Sequence, residues 1–399
     1  MFTAVETPRY FERDGKLFLE YEKVGQPPIC LVFIAGRWVP YPDIVQVVHP
    51  NNAISTSQAT ELVKSLAGTI NDEEAAALLT YSQVELRHVL RSQEFSREFL
   101  EAEFFPIVDR TRRLFLTSAG RDELGQLLHQ RKMVTLFYEP STRTRMSFEL
   151  AARHLGMEVT TSENAAEFSS AIKGETAEDS IRIISSYHPH VIVVRHKEDG
   201  IMQRMARVSH VPIINGGEGT VQHPTQALLD VYTIFSEKGR LDDLTVVFGG
   251  DLKYGRTVRS GVYLLSKFKR IRFVFVSHEA FRIGEDLKQH LRERRVAFTE
   301  TDSMQVAFRE ADVVYWTRTQ KERIEKNPDL MADADKIIQQ FTIGNQQMLW
   351  MNPGAILMHP LPRIQEIKPE VDRDPRSAYF RQAENGLYVR MALLQWVIQ

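Results

Sequence analysis

The stretch Val134-Thr135-Leu136-Phe137-Tyr138 runs directly into Glu139-Pro140-Ser141-Thr142-Arg143-Thr144-Arg145 and then into Met146-Ser147-Phe148-Glu149-Leu150. Its first five residues form an apolar run of strand length, and Pro140 and Ser141 are residues that begin helices. The segment therefore reads as buried strand, tight loop and helix. In that arrangement the unpaired N–H groups of the first helical turn, the hydroxyls of Ser141, Thr142 and Thr144, and the cation of Arg143 converge on one positive helix end. Such a pocket cradles a phosphate. A few Ser, Thr and Arg residues at a cap also suit an ordinary solvated helix start, and it is the whole heptapeptide behind a buried strand that favours the anion site.

Working outward, apolar runs of the same kind recur at residues 191–194, 245–248, 273–276, 313–316 and 355–358. Helical stretches lie at 145–155, 176–187, 224–237, 257–267 and 279–291. Unbroken apolar strands imply burial on both faces, and strand–helix alternation implies parallel sheets covered by helices, an α/β fold. The strands are too many for one doubly wound domain of ~150 residues. The polar break Gly239-Arg240-Leu241-Asp242-Asp243 divides them into a first domain at 87–238 and a second at 239–380, with a last helix at 381–399 expected to pack back on the first.

Residues 1–86 differ from the rest. Strands at 16–22 and 30–39 around the turn Gly25-Gln26-Pro27-Pro28, and a helix at 57–66, make a small α+β extension. It carries no catalytic constellation and reads as a packing or partner surface.

Composition narrows the function. Of 399 residues, 43% are hydrophobic and 26% charged, which excludes disordered, collagenous and coiled-coil classes. Fifty basic against fifty-two acidic side chains give a net charge of −2, so no global field draws in nucleic acid or an anionic membrane. Any anion site is built locally. The single cysteine, Cys30, makes neither an intrachain disulfide nor a thiolate metal site, so no metal centre is expected. No apolar run approaches the ~20 residues of a membrane span, and the first residues lack a basic-then-apolar leader, so a cytoplasmic location is expected.

Four further loops follow strands, where open parallel sheets bind ligands. His223-Pro224-Thr225-Gln226 opens a helix with His223 at the cap and Gln226 one turn in, behind Gly216-Gly217-Glu218-Gly219, which lets backbone approach a ligand closely. A capping histidine alone reads equally as structural. Gly249-Gly250-Asp251-Leu252-Lys253-Tyr254-Gly255-Arg256 lacks the G-x-G-x-x-G spacing of a dinucleotide loop, and Arg256 at a helix start suits a carboxylate. In Thr317-Arg318-Thr319-Gln320, residues two apart share a side of an extended chain, so Arg318 and Gln320 can grip one group. The prolines of His359-Pro360-Leu361-Pro362-Arg363 lack N–H groups, leaving carbonyl acceptors suited to an amine.

These strings, together with Lys173-Gly174-Glu175-Thr176 and Arg195-His196, appear in the order found in the aspartate carbamoyltransferase family, which the chain resembles from about residue 87 to its end. The resemblance implies two doubly wound parallel-sheet domains and transfer of a carbamoyl group from carbamoyl phosphate to L-aspartate, in pyrimidine biosynthesis, without a cofactor. It assigns phosphate binding to Ser141, Thr142, Arg143 and Thr144, with Arg195 bridging phosphate and carbonyl. His223 and Thr144 polarise the carbonyl oxygen, and Gln226 reads the carbamoyl amide. Arg256, Arg318 and Gln320 take the aspartate carboxylates, with the Leu361 carbonyl near the amine. Ser169 and Lys173 reach in from a neighbouring subunit of a homotrimer. Regulatory chains or a dihydroorotase partner are left open. The chain departs from the family where Glu218 replaces Asp, Arg259 replaces His, and Ile172 replaces a residue that is often polar. The ornithine-specific branch usually carries Cys at the places of Thr225 and Pro360, and neither stands here. A catalytically silent scaffold would not need the intact set of site residues.

Overall fold

Strand Val191–His196 (β7) is buried at five of its six positions, and it organises the first of two parallel sheets. The computed structural model describes residues 86–163, 165, 174–318 and 334–398, together with four N-terminal strands. In the first sheet β7 is joined by Lys132–Phe137 (β5), Glu158–Glu163 (β6) and Ile213–Glu218 (β8), in the spatial order β6-β5-β7-β8. The second sheet contains Thr245–Gly249 (β9), Arg272–Val276 (β10), Ala297–Thr301 (β11), Val313–Trp316 (β12) and Ile356–Met358 (β13), in the order β11-β10-β9-β12-β13. Every pairing in both sheets is parallel.

Each order contains one reversal of winding, between β5 and β7 in the first sheet and between β9 and β12 in the second. Where winding reverses, the loops leaving neighbouring strands diverge to opposite faces and open a crevice. Three of the five loops read as chemical leave strands that border these crevices, β5, β9 and β12, and the other two leave β8 and β13, the next strands out.

The apolar runs mark the interior strands. They do not mark β6 and β11, which lie at sheet edges and are largely exposed, so their sequences mix Glu, Thr and Ser with single apolar residues. Strand β8 is wholly buried, but its second half is Asn215-Gly216-Gly217-Glu218, which reads as a loop. The helix expected at 279–291 is two pieces, a 3-10 turn Glu279–Phe281 and an α-helix Glu285–Glu293. Gly284 is extended at the second cap, and Glu285 and Asp286 start a new first turn.

The chain divides into two compact units, Met1–Leu86 and Arg87–Gln399. In the first, Arg9–Arg13 (β1), Lys16–Tyr21 (β2), Ile29–Ile34 (β3) and Arg37–Pro40 (β4) form an antiparallel sheet in sequential order. The single strand expected at 30–39 is thus two, β3 and β4, and β1 adds a strand that was not expected. The helix expected at 57–66 lies outside the described residues.

In the second unit the helix Pro224–Lys238 ends at Gly239 in the left-handed conformation, just before the second sheet begins. The last helix, Tyr379–Ile398, leaves the second sheet and lies along the first. Asn385 Nδ2 donates to Thr233 Oγ1 at 3.1 Å, Gln395 Nε2 donates to Thr111 Oγ1 at 3.0 Å, and the Arg390 guanidinium sits 5.1 Å over the Phe148 ring. No helix among the described residues is long and apolar enough to cross a membrane.

Candidate active site

Three helices begin at the wall of one cavity of about 890 Å³. They are Thr142–His154, Pro224–Lys238 and Arg256–Leu265, with caps at Ser141, His223 and Gly255. None has an acidic residue in its first turn, and none has a side chain satisfying its own N–H groups. Three positive helix ends therefore face one space with no carboxylate of their own first turns, which suits anions.

Around them the structure gathers Ser141, Thr142, Arg143, Thr144, Arg195, His223 and Gln226 from the first half, and Arg256, Arg318 and Leu361 from the second. Ser169, Lys173 and Gln320 lie outside the described residues. Of the family departures, Glu218 is buried and accepts the backbone N–H of Met202 at 3.1 Å, holding the start of another helix. Arg259 pairs with Asp286. Neither lines the cavity, and Ile172 lies outside the described residues.

Two of these cations, Arg195 and Arg256, are held by groups of the chain itself. Arg195, its side chain 9% exposed, donates from Nη1 to the Gly216 carbonyl at 3.2 Å and pairs through Nη2 with Glu139 Oε2 at 3.0 Å. Arg256 donates from Nη1 to the Gly219 carbonyl at 2.6 Å, and its guanidinium lies 3.5 Å from the same Glu139 oxygen. One carboxylate thus bridges an arginine from each half. Gly217 separates the two acceptor carbonyls with φ of +128°, and a Cβ there would stand 2.5 Å from Arg195 Nη1. Of the glycines in this run, Gly217 makes its close approach to the two arginines. Burial, and then the neighbouring Arg256 cation, pull Arg195 down to about 10 against the opposing effect of Glu139, so it stays charged at neutral pH.

His223 is buried at its cap, where its backbone N–H donates to Ser260 Oγ at 3.0 Å. Burial, followed by the cations of Arg256, Arg195 and Arg390, holds its pKa well below 6.5, so the ring is neutral and keeps one N–H to donate. On the opposite wall Leu361 has φ of +52°, and its N–H donates to His359 Nδ1 at 2.8 Å. The other ring nitrogen of His359 lies 2.9 Å from Glu366 Oε1 in a buried pair that fixes the loop.

Sequence reading missed two groups. Glu139 was quoted inside the heptapeptide without a role, and its signal is its place between a strand and a cation-rich loop. Arg390 lines the cavity from within an apolar helix, and only the fold brings it there. Among the described residues no group of three His, Cys, Asp or Glu side chains is placed to hold a metal ion. The arrangement can fix two anionic groups side by side and direct a neutral N–H donor at a polar atom between them.

The carbamoyl-phosphate-binding model of the aspartate/ornithine carbamoyltransferases matches residues 87–236, and their aspartate/ornithine-binding model matches residues 242–397. The chain belongs to the aspartate/ornithine carbamoyltransferase family. It is 44% identical over 329 residues to aspartate carbamoyltransferase 1, chloroplastic, of Pisum sativum, covering 82% of this chain and 83% of that one. It is 42% identical over 312 residues to the aspartate carbamoyltransferase catalytic subunit of Chromobacterium violaceum, covering 78% and 98%. Among solved structures, the aspartate transcarbamoylase of Trypanosoma cruzi in complex with carbamoyl aspartate and phosphate aligns with a TM-score of 0.68 at 36% identity, covering 77% of this chain and 94% of that one.

The electrostatics of the cleft are open to direct measurement. With histidine-selective labelling, and His223→Gln to assign the signal, the His223 ring is expected to stay neutral from pH 8 down through pH 6 by NMR. A protonation midpoint at or above 6.5 contradicts the assigned electrostatics. Because the unfolded chain binds a proton that the native site refuses, this group's contribution to stability falls as the pH drops below 6.5.

Proposed function

We propose that this chain catalyses aspartate carbamoyl transfer, in which the amine of L-aspartate attacks the carbonyl carbon of carbamoyl phosphate to give N-carbamoyl-L-aspartate and phosphate. The observation that carries the reading is the pair of switch-point crevices opening into one cavity, with Arg143 and Arg195 on one side and Arg256 and Arg318 on the other. Each substrate carries two negative charges, and each crevice offers fixed cations for one of them.

In this reading the loop 141–144 and Arg195 take the phosphate, and Gln226 takes the carbamoyl amide. As the amine adds, negative charge grows on the carbonyl oxygen, where Thr144 and neutral His223 donate to it. Preorganised donors at such an oxygen are each worth roughly 3–4 kcal/mol of barrier. The C–O bond to phosphate then breaks, and the departing phosphate takes the proton lost by the amine. Arg256 and Arg318, with Gln320, hold the aspartate carboxylates, and the Leu361 carbonyl accepts from the amine.

The same reading makes the chain a homotrimer whose Ser169 and Lys173 complete the site of a neighbouring subunit. Its support is exposed apolar surface on the described residues. Met146 and Leu150 lie on the cavity wall at 48% and 46% exposure, and Tyr187 is 72% exposed. A monomer gains nothing from exposing them, whereas a head-to-tail interface buries them.

Two experiments test this reading. Purified protein is expected to form carbamoyl-aspartate, with kcat/KM for L-aspartate exceeding that for L-ornithine by more than ~100-fold, because ornithine sets a cation against Arg256 and Arg318. Comparable turnover of both amines refutes the assignment. For the shared site, Lys173→Ala and Arg143→Ala are each expected to be nearly inactive, yet an equal mixture dissociated and reassembled should recover about a quarter of wild-type activity, as random cyclic assembly dictates. No recovery, with subunit exchange shown by mass, places Lys173 in its own chain's site.

A further inference from the structure

Behind the carbamoyl side of the cavity lies a buried carboxylate that the chemistry above leaves unused. Asp230 follows Gln226 by one turn on the helix Pro224–Lys238 and is 3% exposed. Its Oδ1 accepts two side-chain amides, from Gln226 Nε2 at 2.8 Å and from Gln382 Nε2 at 2.6 Å. Its Oδ2 accepts the Tyr315 hydroxyl at 2.8 Å. Gln382 Oε1 in turn accepts the backbone N–H of His359 at 2.9 Å, at the head of the loop that carries Leu361.

The chemistry of amides makes this arrangement informative. The two ends of a glutamine side chain are nearly the same size, one a donor of two hydrogens and the other an acceptor, so a glutamine facing a cleft can present either. An ionised carboxylate only accepts. Once Nε2 is bound to Asp230, Oε1 is the end left for the cavity in Gln226 and for the His359 N–H in Gln382. Burial raises the pKa of Asp230, and the three donors and the buried Arg390 oppose it, leaving the carboxyl at about 7; in either protonation state Oδ1 remains an acceptor for the two amides.

We propose that Asp230 is a positioning residue that fixes the polarity of two glutamines at once, setting Gln226 as the acceptor for the carbamoyl amide and holding the His359–Pro362 loop in register with it. The first part rests on the role given to Gln226 above. Asp230 touches no substrate. It acts through Gln226 on one wall and through Gln382 on the other, so a single buried carboxylate aligns the sites for both substrates.

The test compares carbamoyl phosphate with acetyl phosphate, in which a methyl group replaces the amine and nothing can donate to Gln226. The readout is the ratio of kcat/KM for the two with L-aspartate, measured on the full chain. Gln226→Ala and Asp230→Leu are each expected to lower the preference for carbamoyl phosphate by ~10-fold or more, since a site built to bind an N–H discriminates strongly against an analogue lacking it. The double variant is expected to lose no more than ~2-fold beyond either, because both act through one contact. Asp230→Asn is expected to keep the ratio within ~3-fold, its amide oxygen accepting both glutamines while its NH2 donates to Tyr315.

A folded Asp230→Leu protein with the wild-type ratio overturns the inference, as do fully multiplicative losses in the double variant or an Asp230→Asn loss as large as that of Asp230→Leu. If Asp230→Leu does not fold, Asp230→Ala is read in its place. If neither folds, Asp230 is a keystone of stability and the inference is wrong. An unchanged ratio in Gln226→Ala removes Gln226 from the substrate and overturns both its role and this inference, whereas carbamoyl-aspartate formation is decided by the direct assay.

Discussion

The site depends on one oxygen of Glu139, which lies 3.0 Å from Arg195 and 3.5 Å from Arg256. Those arginines come from different halves of the second unit, and two guanidinium groups brought together in a partly desolvated cleft repel each other unless a counter-charge lies between them. Glu139 supplies it from the loop that leads into the helix Thr142–His154. The carbonyls of Gly216 and Gly219 accept a further hydrogen bond from each arginine, so both cations are oriented by backbone as well as by charge. The end of β8 must therefore pass close under both, which explains a glycine at 217.

The fold places this arrangement where two parallel sheets reverse their winding. Arg195 on β7 and the loops leaving β5, β8, β9, β12 and β13 meet over one cavity because each sheet has its crevice at the C-terminal ends of its strands. The helix Pro224–Lys238 and the last helix, Tyr379–Ile398, then tie the halves together through Asp230, Gln382, Asn385 and Thr233. A cleft between two crevices separates two sets of cations, with Arg143 and Arg195 on one wall and Arg256 and Arg318 on the other. His223, kept neutral by burial and surrounding cations, adds a donor without adding another positive charge.

Much of this was legible in the sequence, for identifiable reasons. The interior strands are continuous apolar runs because both faces are covered, and two helix starts announce themselves through Pro140 with Ser141 and through Pro224. Edge strands β6 and β11 were not legible because their exposure removes the apolar signal, and β8 was hidden by its glycines, Gly216 against β7 and Gly217 against the arginines. Residues that line the cavity, among them Ser141 to Thr144, Arg195, His223, Gln226, Arg256 and Arg318, could be listed from motifs and family likeness. The supporting ones could not, because Glu139, Asp230, Gln382 and Arg390 are ordinary charged or polar residues whose roles exist only once distant segments meet. Asp230 and Gln382 are 152 positions apart and share a hydrogen bond of 2.6 Å.

The central claim is that each half holds one substrate at its own switch point. Calorimetric titration of carbamoyl phosphate into Arg143→Ala and Arg318→Ala, without aspartate, tests it most directly. The account predicts that Arg143→Ala weakens binding by ~30-fold or more, the loss of charge-assisted hydrogen bonds to phosphate, while Arg318→Ala stays within ~3-fold of wild type. Equal losses in the two variants would contradict it.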